Sequence, residues 1–322
     1  MAVHFCGAQP FLLTFRMRSG IIILYVVSFG KGSDRYMVKR QFRVGKYTLS
    51  PYSVLMVLCK NELPVDLNSC LESMLMQSYP PADFVLVCRE GLTNELKIIV
   101  KSFQNEFKDV FRIITAKDDM SVGEALNMGM DACCCDYIMR MDSDDISKPN
   151  RCLKQMTLFA IKPELDITGT FVEEFDTHTG RIISVKKTPI LHKDIVKYAK
   201  RRNPFNRQTL AFRRSAAESV GGFGDTQQFE DYDLIVRMIM NGSLGQNVPE
   251  ALVRYRIDKD TICHRKSLSR TKASIAVRKR MRKYGFTSFA DFFVPCAAQC
   301  LLFIMPCCFT KWFYKKFLRS HS

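Results

Sequence analysis

Apolar runs of strand length alternate with helical patterns in the first half of the chain, and this alternation strongly limits the possible fold. The runs cover residues 53–59, 84–88, 110–115 and 137–141. Between the first two, leucines such as Leu67 and Leu71 recur at helical spacing. Strands that alternate with helices at this interval pair in parallel through right-handed crossovers. The sequence therefore predicts an α/β fold with a mostly parallel central sheet and helices on both faces.

The fourth run contains Arg140 and ends in the carboxylates Asp142, Asp144 and Asp145. In open α/β sheets, ligands bind at the carboxyl ends of the strands. Carboxylates this close repel one another unless a cation lies among them, and a divalent cation that also bridges a phosphate fits that need. The alternative is an acidic turn that caps the helix following Pro149. The cluster alone does not decide between the two.

The second half of the chain adds a hairpin and a second acidic pair. Residues 166–175 and 181–185 are predicted strands joined by a turn at 177–180. Glu230 and Asp231 open an amphipathic helix. Acidic residues in a first helical turn stabilise the helix dipole, which is the structural interpretation of this pair.

Charge and cysteine content restrict the partners and the compartment. The formal net charge is +16, which favours an anionic partner such as nucleic acid, anionic lipid or a phosphorylated substrate. The 13 cysteines include adjacent ones and form no spaced disulfide pattern, which is typical of a reducing compartment. No Cys-x-x-Cys pair is present, so a structural zinc site is not predicted.

The two ends of the chain differ from its middle. Residues 1–36 hold two apolar runs too short to span a bilayer, and we assign them no function. Residues 259–283 contain ten Lys or Arg and one Asp, and residues 292–309 are uncharged but interrupted by Pro295 and Pro306. Mixed aromatic and basic residues follow, which is typical of a membrane interface. The alternative is a core-packing helix with a solvated basic tail.

At this point the chain resembles family 2 glycosyltransferases with a GT-A fold, and more narrowly bacterial amylovoran, capsule, lipopolysaccharide and exopolysaccharide glycosyltransferases. The resemblance covers residues 52–256. It rests on an ordered set of segments: Ser78-Tyr79-Pro80, Gly123-Glu124-Ala125-Leu126-Asn127, Arg140-Met141-Asp142-Ser143-Asp144-Asp145, Asn203-Pro204-Phe205-Asn206 and Phe229-Glu230-Asp231-Tyr232-Asp233-Leu234. We therefore divide the chain into an N-terminal extension (1–50), a glycosyltransferase domain (51–256) and a membrane-associating region (257–322).

The resemblance implies roles for the acidic residues. Asp144 is the expected principal ligand of Mn²⁺ or Mg²⁺, and Asp142 is expected at the ribose or the metal. Asp145 is expected to be structural. Asp231, with Glu230 beside it, is the expected base that takes the proton from the acceptor hydroxyl in a direct displacement that inverts the anomeric centre.

The resemblance also places the donor pocket at the ends of the first strands. Donor-binding roles follow for Glu90, Asp119, Asn127, Arg140 and Asp142. Glu90 stands where relatives have Asp, and Asp119 where many have Asn. A larger departure is Asn206-Arg207-Gln208-Thr209, where relatives commonly read Asn-His-Pro-Thr. Arg207 thus indicates a different acceptor, or else it binds a pyrophosphate or an acidic glycan.

These features together predict a metal-dependent inverting glycosyltransferase. It would move a hexose from a nucleotide sugar, UDP-linked, to a lipid-linked or growing polysaccharide acceptor. We expect it in the cytoplasm, peripheral on the inner face of a bacterial cell membrane and in contact with anionic lipid. A catalytically silent partner in a glycan-assembly complex is one alternative. The other alternative is a basic nucleic-acid-binding protein, whereas the glycosyltransferase hypothesis predicts no nucleic acid as a partner.

Overall fold

The computed structural model describes residues 11–16, 21–29, 36–177, 179–225, 228–257 and 267–304, with side chains from residue 41 onward. The chain divides into two compact units. One comprises residues 1–50 and 156–163, and the other comprises residues 51–155 and 164–322.

The first unit contains an antiparallel four-stranded sheet in chain order. Its strands are β1 (Phe11–Arg16), β2 (Ile21–Phe29), β3 (Tyr36–Val44) and β4 (Tyr47–Thr48). The two apolar runs of the N-terminal extension are therefore strands, and Gly45, at φ +57°, lies in the tight turn between β3 and β4.

Parallel strands form the first half of the main sheet, as the alternating pattern predicts. They are β5 (Tyr52–Leu58), β6 (Asp83–Arg89), β7 (Phe111–Ala116) and β8 (Tyr137–Arg140), in the order β7-β6-β5-β8. Helices α1 (Pro64–Leu75), α2 (Asn94–Glu106) and α3 (Val122–Ala132) connect them. Every residue of β5 is buried, which explains its continuous apolar sequence.

Helix α3 packs directly on this sheet. Its N-terminus is a capping box, in which the Ser121 side chain accepts from the Glu124 amide and the Glu124 side chain accepts from the Ser121 amide. A Cβ on Gly129 would lie 2.4 Å from Leu55 Cδ1 and 2.6 Å from Val87 Cγ2. The missing side chain at Gly129 therefore lets the helix approach the sheet closely.

The second half of the main sheet is mixed rather than parallel. The remaining elements in chain order are β9 (Ile146–Ser147), α4 (Arg151–Ile161), β10 (Leu165–Asp176), β11 (Ile182–Lys186), α5 (His192–Ala199), β12 (Ala211–Arg213), α6 (Arg214–Glu218), α7 (Glu230–Met240) and β13 (Leu244–Ile257). The order continues β8-β12-β10-β13-β9. Strand β12 is antiparallel to β8 and β10, β10 is parallel to β13, and β10 and β11 form the predicted hairpin.

Two helices end the described chain, α8 (Leu268–Lys283) and α9 (Phe289–Ile304). Val277 and Met281 of α8 pack in one cluster with Tyr232 and Val236 of α7. Among the described residues, no helix has the length and hydrophobicity to cross a membrane. The predicted uncharged segment continues past Ile304, and that part of it lies outside the described residues together with the aromatic and basic tail.

Candidate active site

The acidic cluster lies where the resemblance and the strand pattern place it, at the carboxyl ends of β5 and β8. Strand β8 ends at Arg140 and Asp142 follows two residues later. The Met141 amide donates to the Leu55 carbonyl at 3.3 Å, and the Cys70 thiol of α1 donates to the Asp142 carbonyl at 3.1 Å. The turn after β8 is therefore held by the strand and the helix next to it.

Two arginines contact the Asp142 carboxylate. Its Oδ2 lies 2.8 Å from Arg207 Nη2 and 3.0 Å from Arg207 Nε, and its Oδ1 lies 3.5 Å from Arg140 Nη1. Burial would raise the pKa of Asp142, but the two guanidinium groups outweigh burial and hold this pKa below its ordinary value. Arg207 is thus the direct partner of the carboxylate expected at the nucleotide or metal.

For Asp144, Asp145 and Glu62, the compensating contacts are weaker than the effects of burial and neighbouring carboxylates. Burial, and then the charge of Asp142, raise the pKa of Asp144. Burial, and then Asp144, raise the pKa of Glu62 to about 7. Asp145 is fully buried, its Oδ2 has no hydrogen-bond partner among the described residues, and burial followed by Asp144 raises its pKa well above the ordinary value. Burial and mutual repulsion of these carboxyl groups therefore outweigh the stabilisation that the nearby arginines give to their ionised forms.

A divalent cation fits this imbalance. Carboxylate oxygens are the ligands that Mg²⁺ and Mn²⁺ prefer, and such ions use few protein ligands when a diphosphate supplies others. Within the described residues, no group of three or more His, Cys, Asp or Glu side chains is arranged to hold a metal ion. A cation held by Asp142 and Asp144 would take its other ligands from water and from diphosphate oxygens.

Arg256, at the end of β13, organises the far side of the cluster. Its backbone amide donates to Asp145 Oδ1 at 3.0 Å, and its side-chain Nε donates to the Asp144 carbonyl. Its Nη1 lies 3.1 Å from Asp66 Oδ1 in the first turn of α1. These contacts assign Asp145 the structural role expected from the sequence. The reasoning from sequence missed Arg256, because no local pattern connects it with residues more than a hundred positions away.

The second acidic pair reaches the same place from a distant part of the chain. Glu230 and Asp231 begin α7 and are buried. Asp231 Oδ1 lies 3.5 Å from Arg140 Nε, and Arg207 lies 3.9 Å from Asp231 Oδ2 and 4.0 Å from Glu230 Oε1. Both Asp231 oxygens lack a hydrogen-bond partner among the described residues. Their capacity to accept a hydrogen bond is therefore unused by the described residues.

The environment of Asp231 suits a proton acceptor near neutral pH. Burial raises its pKa to about 7, with Glu230 adding to the rise and Arg140 and Arg207 opposing it. A base is most effective when its pKa lies near the working pH. Arg140 lies 3.5 Å from both Asp142 and Asp231, so the two carboxylates flank one buried guanidinium.

The other predicted donor-binding residues lie along the same edge or on α3. Glu90 directly follows β6 and Asp119 follows β7, and both are exposed. The turn before Met120 is fixed by Arg89, which donates to the carbonyls of Asp118 and Met120. Because parallel strands end at one edge, these positions share the edge with Asp142. Their donor contacts stay predictions.

Asn127 has a structural contact that the sequence did not reveal. Its Nδ2 donates to the Phe223 carbonyl at 2.9 Å, and its Oδ1 accepts from the Phe223 amide at 2.7 Å. This pair of bonds ties α3 to the segment that leads into α7. A donor contact for Asn127 remains a prediction and would have to coexist with these bonds.

Comparison with known proteins agrees with this geometry. The sequence model of glycosyl transferase family 2 matches residues 54–221. The chain is 30% identical over 269 residues to the UDP-Gal:alpha-D-GlcNAc-diphosphoundecaprenol beta-1,3-galactosyltransferase of Escherichia coli, covering 83% of this chain and 96% of that one. It is 29% identical over 268 residues to the amylovoran biosynthesis glycosyltransferase AmsE of Erwinia amylovora, covering 82% and 98%.

Solved structures show the same fold at low sequence identity. The chain is similar to the mannosyltransferase PcManGT from Pyrobaculum calidifontis, in complex with GDP-Man and Mn²⁺, with a TM-score of 0.56 and 16% identity over 82% of this chain and 72% of that one. It is also similar to S. aureus TarS in complex with UDP-GlcNAc, with a TM-score of 0.53 and 14% identity over 79% and 70%. The predicted GT-A fold is thereby confirmed.

Proposed function

The chain belongs to glycosyl transferase family 2, and we propose that it transfers a hexose, with inversion, from a UDP-linked sugar to a lipid-linked or growing bacterial polysaccharide. Family membership makes it a glycosyltransferase. The donor, the acceptor, the stereochemistry and the metal are the parts that we propose.

The observation that carries the proposal is the meeting of two acidic groups around Arg140 and Arg207. Asp142 contacts both guanidinium groups, and Asp231 lies within 4.0 Å of both as well. A transferase needs positive charge for the departing diphosphate and a base for the attacking hydroxyl. This arrangement offers both within one buried site.

In the proposed reaction, the acceptor oxygen forms a bond to the anomeric carbon while the bond from that carbon to the diphosphate oxygen breaks. Asp231 receives the hydroxyl proton, and Arg140 and Arg207 stabilise the negative charge on the leaving diphosphate. Asp144 and Asp142 would hold Mn²⁺ or Mg²⁺, which supplies Lewis-acid stabilisation of the same charge. The departing group and the base lie on opposite sides of the sugar, so the anomeric configuration inverts.

The nature of the substrates is proposed from the relatives. The similar Escherichia coli enzyme is named for UDP-Gal and for an acceptor linked to diphosphoundecaprenol. A UDP-linked hexose and a polyprenyl-diphosphate acceptor are therefore the first pair to test. Such an acceptor places the enzyme peripherally on the inner, cytoplasmic face of the cell membrane, where its cysteines stay reduced.

The proposal is tested by hexose transfer with Asp231→Asn and Asp144→Asn, each assayed with and without EDTA. Removal of the base or of the metal ligand is expected to lower kcat by about 100-fold or more. Asp233→Asn is the matched control, because Asp233 is buried in the same helical turn but pairs with Arg237 at 2.9 Å. Full activity in both test variants would contradict the site. Donor binding without turnover in the wild type would indicate a catalytically silent relative.

A further inference from the structure

Helix α9 exposes an apolar face. Its large exposed side chains are all hydrophobic: Phe289, Phe293, Val294, Leu301, Phe303 and Ile304. Phe293 is 56% exposed, Leu301 60% and Ile304 77%, and no residue of the helix is buried. The face continues from the first turn to the last and contains no charged residue.

The polar residues of α9 lie on its other face. Asp291 is less exposed than its neighbours, forms an ion pair with Arg201 at 2.8 Å and bonds with Ser288. Gln299 is half-buried. A surface helix of a soluble domain normally buries its apolar face and exposes its polar face. Helix α9 has the opposite arrangement, so its outer face is built for an apolar neighbour.

Cations surround the start of this face. The Arg282 guanidinium lies over the Phe289 ring, 5.5 Å from its centroid. Arg282 belongs to α8, and Lys279 and Lys283 of α8 are exposed. Helix α8 carries basic residues along its length and has no acidic residue. An occupant of the apolar face therefore meets positive charge at its edge.

We propose that α9 lies flat in the interfacial layer of an anionic bilayer, with its apolar face in the acyl region and the α8 cations at the headgroups. An anionic bilayer supplies both the apolar layer and the negative charge that this surface requires. A second copy would bring the same cations towards one another, which is unfavourable. The ion pair between Asp291 and Arg201 holds the polar face of α9 against the protein, so a helix parallel to the membrane surface presents only its apolar face to the acyl layer.

The same helices contact the catalytic part of the protein. Tyr232 directly follows Asp231 and packs with Val277 and Met281 of α8, while Arg280 of α8 lies 3.8 Å from Asp233 of α7. The helix that bears the expected base is thus packed against the helix that leads to the membrane surface. Given the proposed function, on which this step rests, membrane binding positions the base near the acceptor headgroup.

The test is co-sedimentation with vesicles of phosphatidylglycerol and phosphatidylcholine, compared with phosphatidylcholine alone. The test variant is Phe293→Glu with Leu301→Glu. The matched control is Met76→Glu with Ile98→Glu, because those exposed hydrophobic residues lie elsewhere, at 61% and 69% exposure, and the change in charge is equal. We expect the test variant to lose vesicle affinity by about tenfold or more, and the control to bind like wild type. Thermal unfolding of each variant verifies that it is folded.

Three outcomes would overturn the inference: wild type fails to bind anionic vesicles, the test variant binds as well as the control, or wild type is a dimer that only the test variant dissociates. Transfer to a water-soluble acceptor analogue separates this inference from the proposed function. Retained transfer without vesicle binding overturns the membrane surface alone. Vesicle binding without any transfer overturns the proposed function alone.

Discussion

The pH dependence of catalysis should report the burial of Asp231. Because burial raises its pKa to about 7, Asp231 is ionised and able to act as a base above that pH. It is protonated, and unable to accept the acceptor proton, below that pH. We expect the plot of kcat/KM against pH to have an acidic limb with its midpoint near this pKa, and kcat/KM to fall about tenfold per pH unit below it. A limb near the ordinary carboxyl pKa of about 4 would contradict this environment.

Replacement of Arg207 by Gln should move this limb to higher pH. The guanidinium lies 3.9 Å from Asp231 Oδ2 and favours the ionised carboxylate. At about 4 Å, a pair of unit charges is worth about 1 kcal/mol in water and about 4 kcal/mol at an effective dielectric constant of about 20. The Arg207 side chain is 47% exposed, so a value of about 1–2 kcal/mol applies, and the pKa rises by about one unit.

The assay is the initial rate of hexose transfer, with kcat/KM measured from about pH 5 to pH 9. Arg112→Gln is the matched control, because the Arg112 side chain is 46% exposed and pairs with the buried Asp83, which lies in β6. The position of the limb is independent of any loss in overall rate that follows from the missing contact with Asp142. An unmoved limb in Arg207→Gln, or an equal shift in Arg112→Gln, would refute the reasoning.

Three further predictions concern the metal and the supports of the site. Mn²⁺ at about 100 times its Kd at pH 8 should stabilise the fold by about 2.7 kcal/mol. The same Mn²⁺ concentration should stabilise it less at pH 5, because protons compete with the metal for Asp144, whose pKa is raised; a thermal-shift assay should show most of this effect absent in Asp144→Asn. Asp145→Ala should lower the free energy of unfolding in urea by about 1–3 kcal/mol, because the Arg256 amide loses its acceptor. Asp145→Asn should lower it less, and equal losses would contradict the structural role. Asn127→Ala should likewise lower the free energy of unfolding by about 1–3 kcal/mol through its lost bonds to Phe223, and a donor-binding role would add a loss of donor affinity in calorimetry.

The parts of this fold that depend on local patterns could be predicted. Four strands followed from continuous apolar runs, the capping pair Ser121 and Glu124 marks the start of α3, and the β10–β11 hairpin followed from its turn. Each of these signals lies within a few residues of the element that it defines. The location of the acidic cluster followed as well, because parallel strands end at one edge of the sheet.

Contacts between distant segments could not be predicted. Arg207 reaches Asp142 across 65 positions, and Arg256 reaches Asp145 across 111. The sequence shows only that an arginine is present at each position. Its partner depends on how the mixed half of the sheet packs beside β8. The strands of the N-terminal extension were not predicted for another reason. A short apolar run fits a strand and a buried helix segment equally well.

The residues that complete the site lie late in the sequence, and this has a consequence for synthesis on the ribosome. The parallel half of the sheet is complete once residue 140 has been made, but Arg207, Asp231 and Arg256 all come later. A nascent chain that ends before residue 207 contains Asp142, Asp144 and Asp145 but neither Arg207 nor Arg256. The contacts of Arg256 with Asp144 and Asp145 form only after β13 has been synthesised, so the acidic cluster reaches its final arrangement late in synthesis.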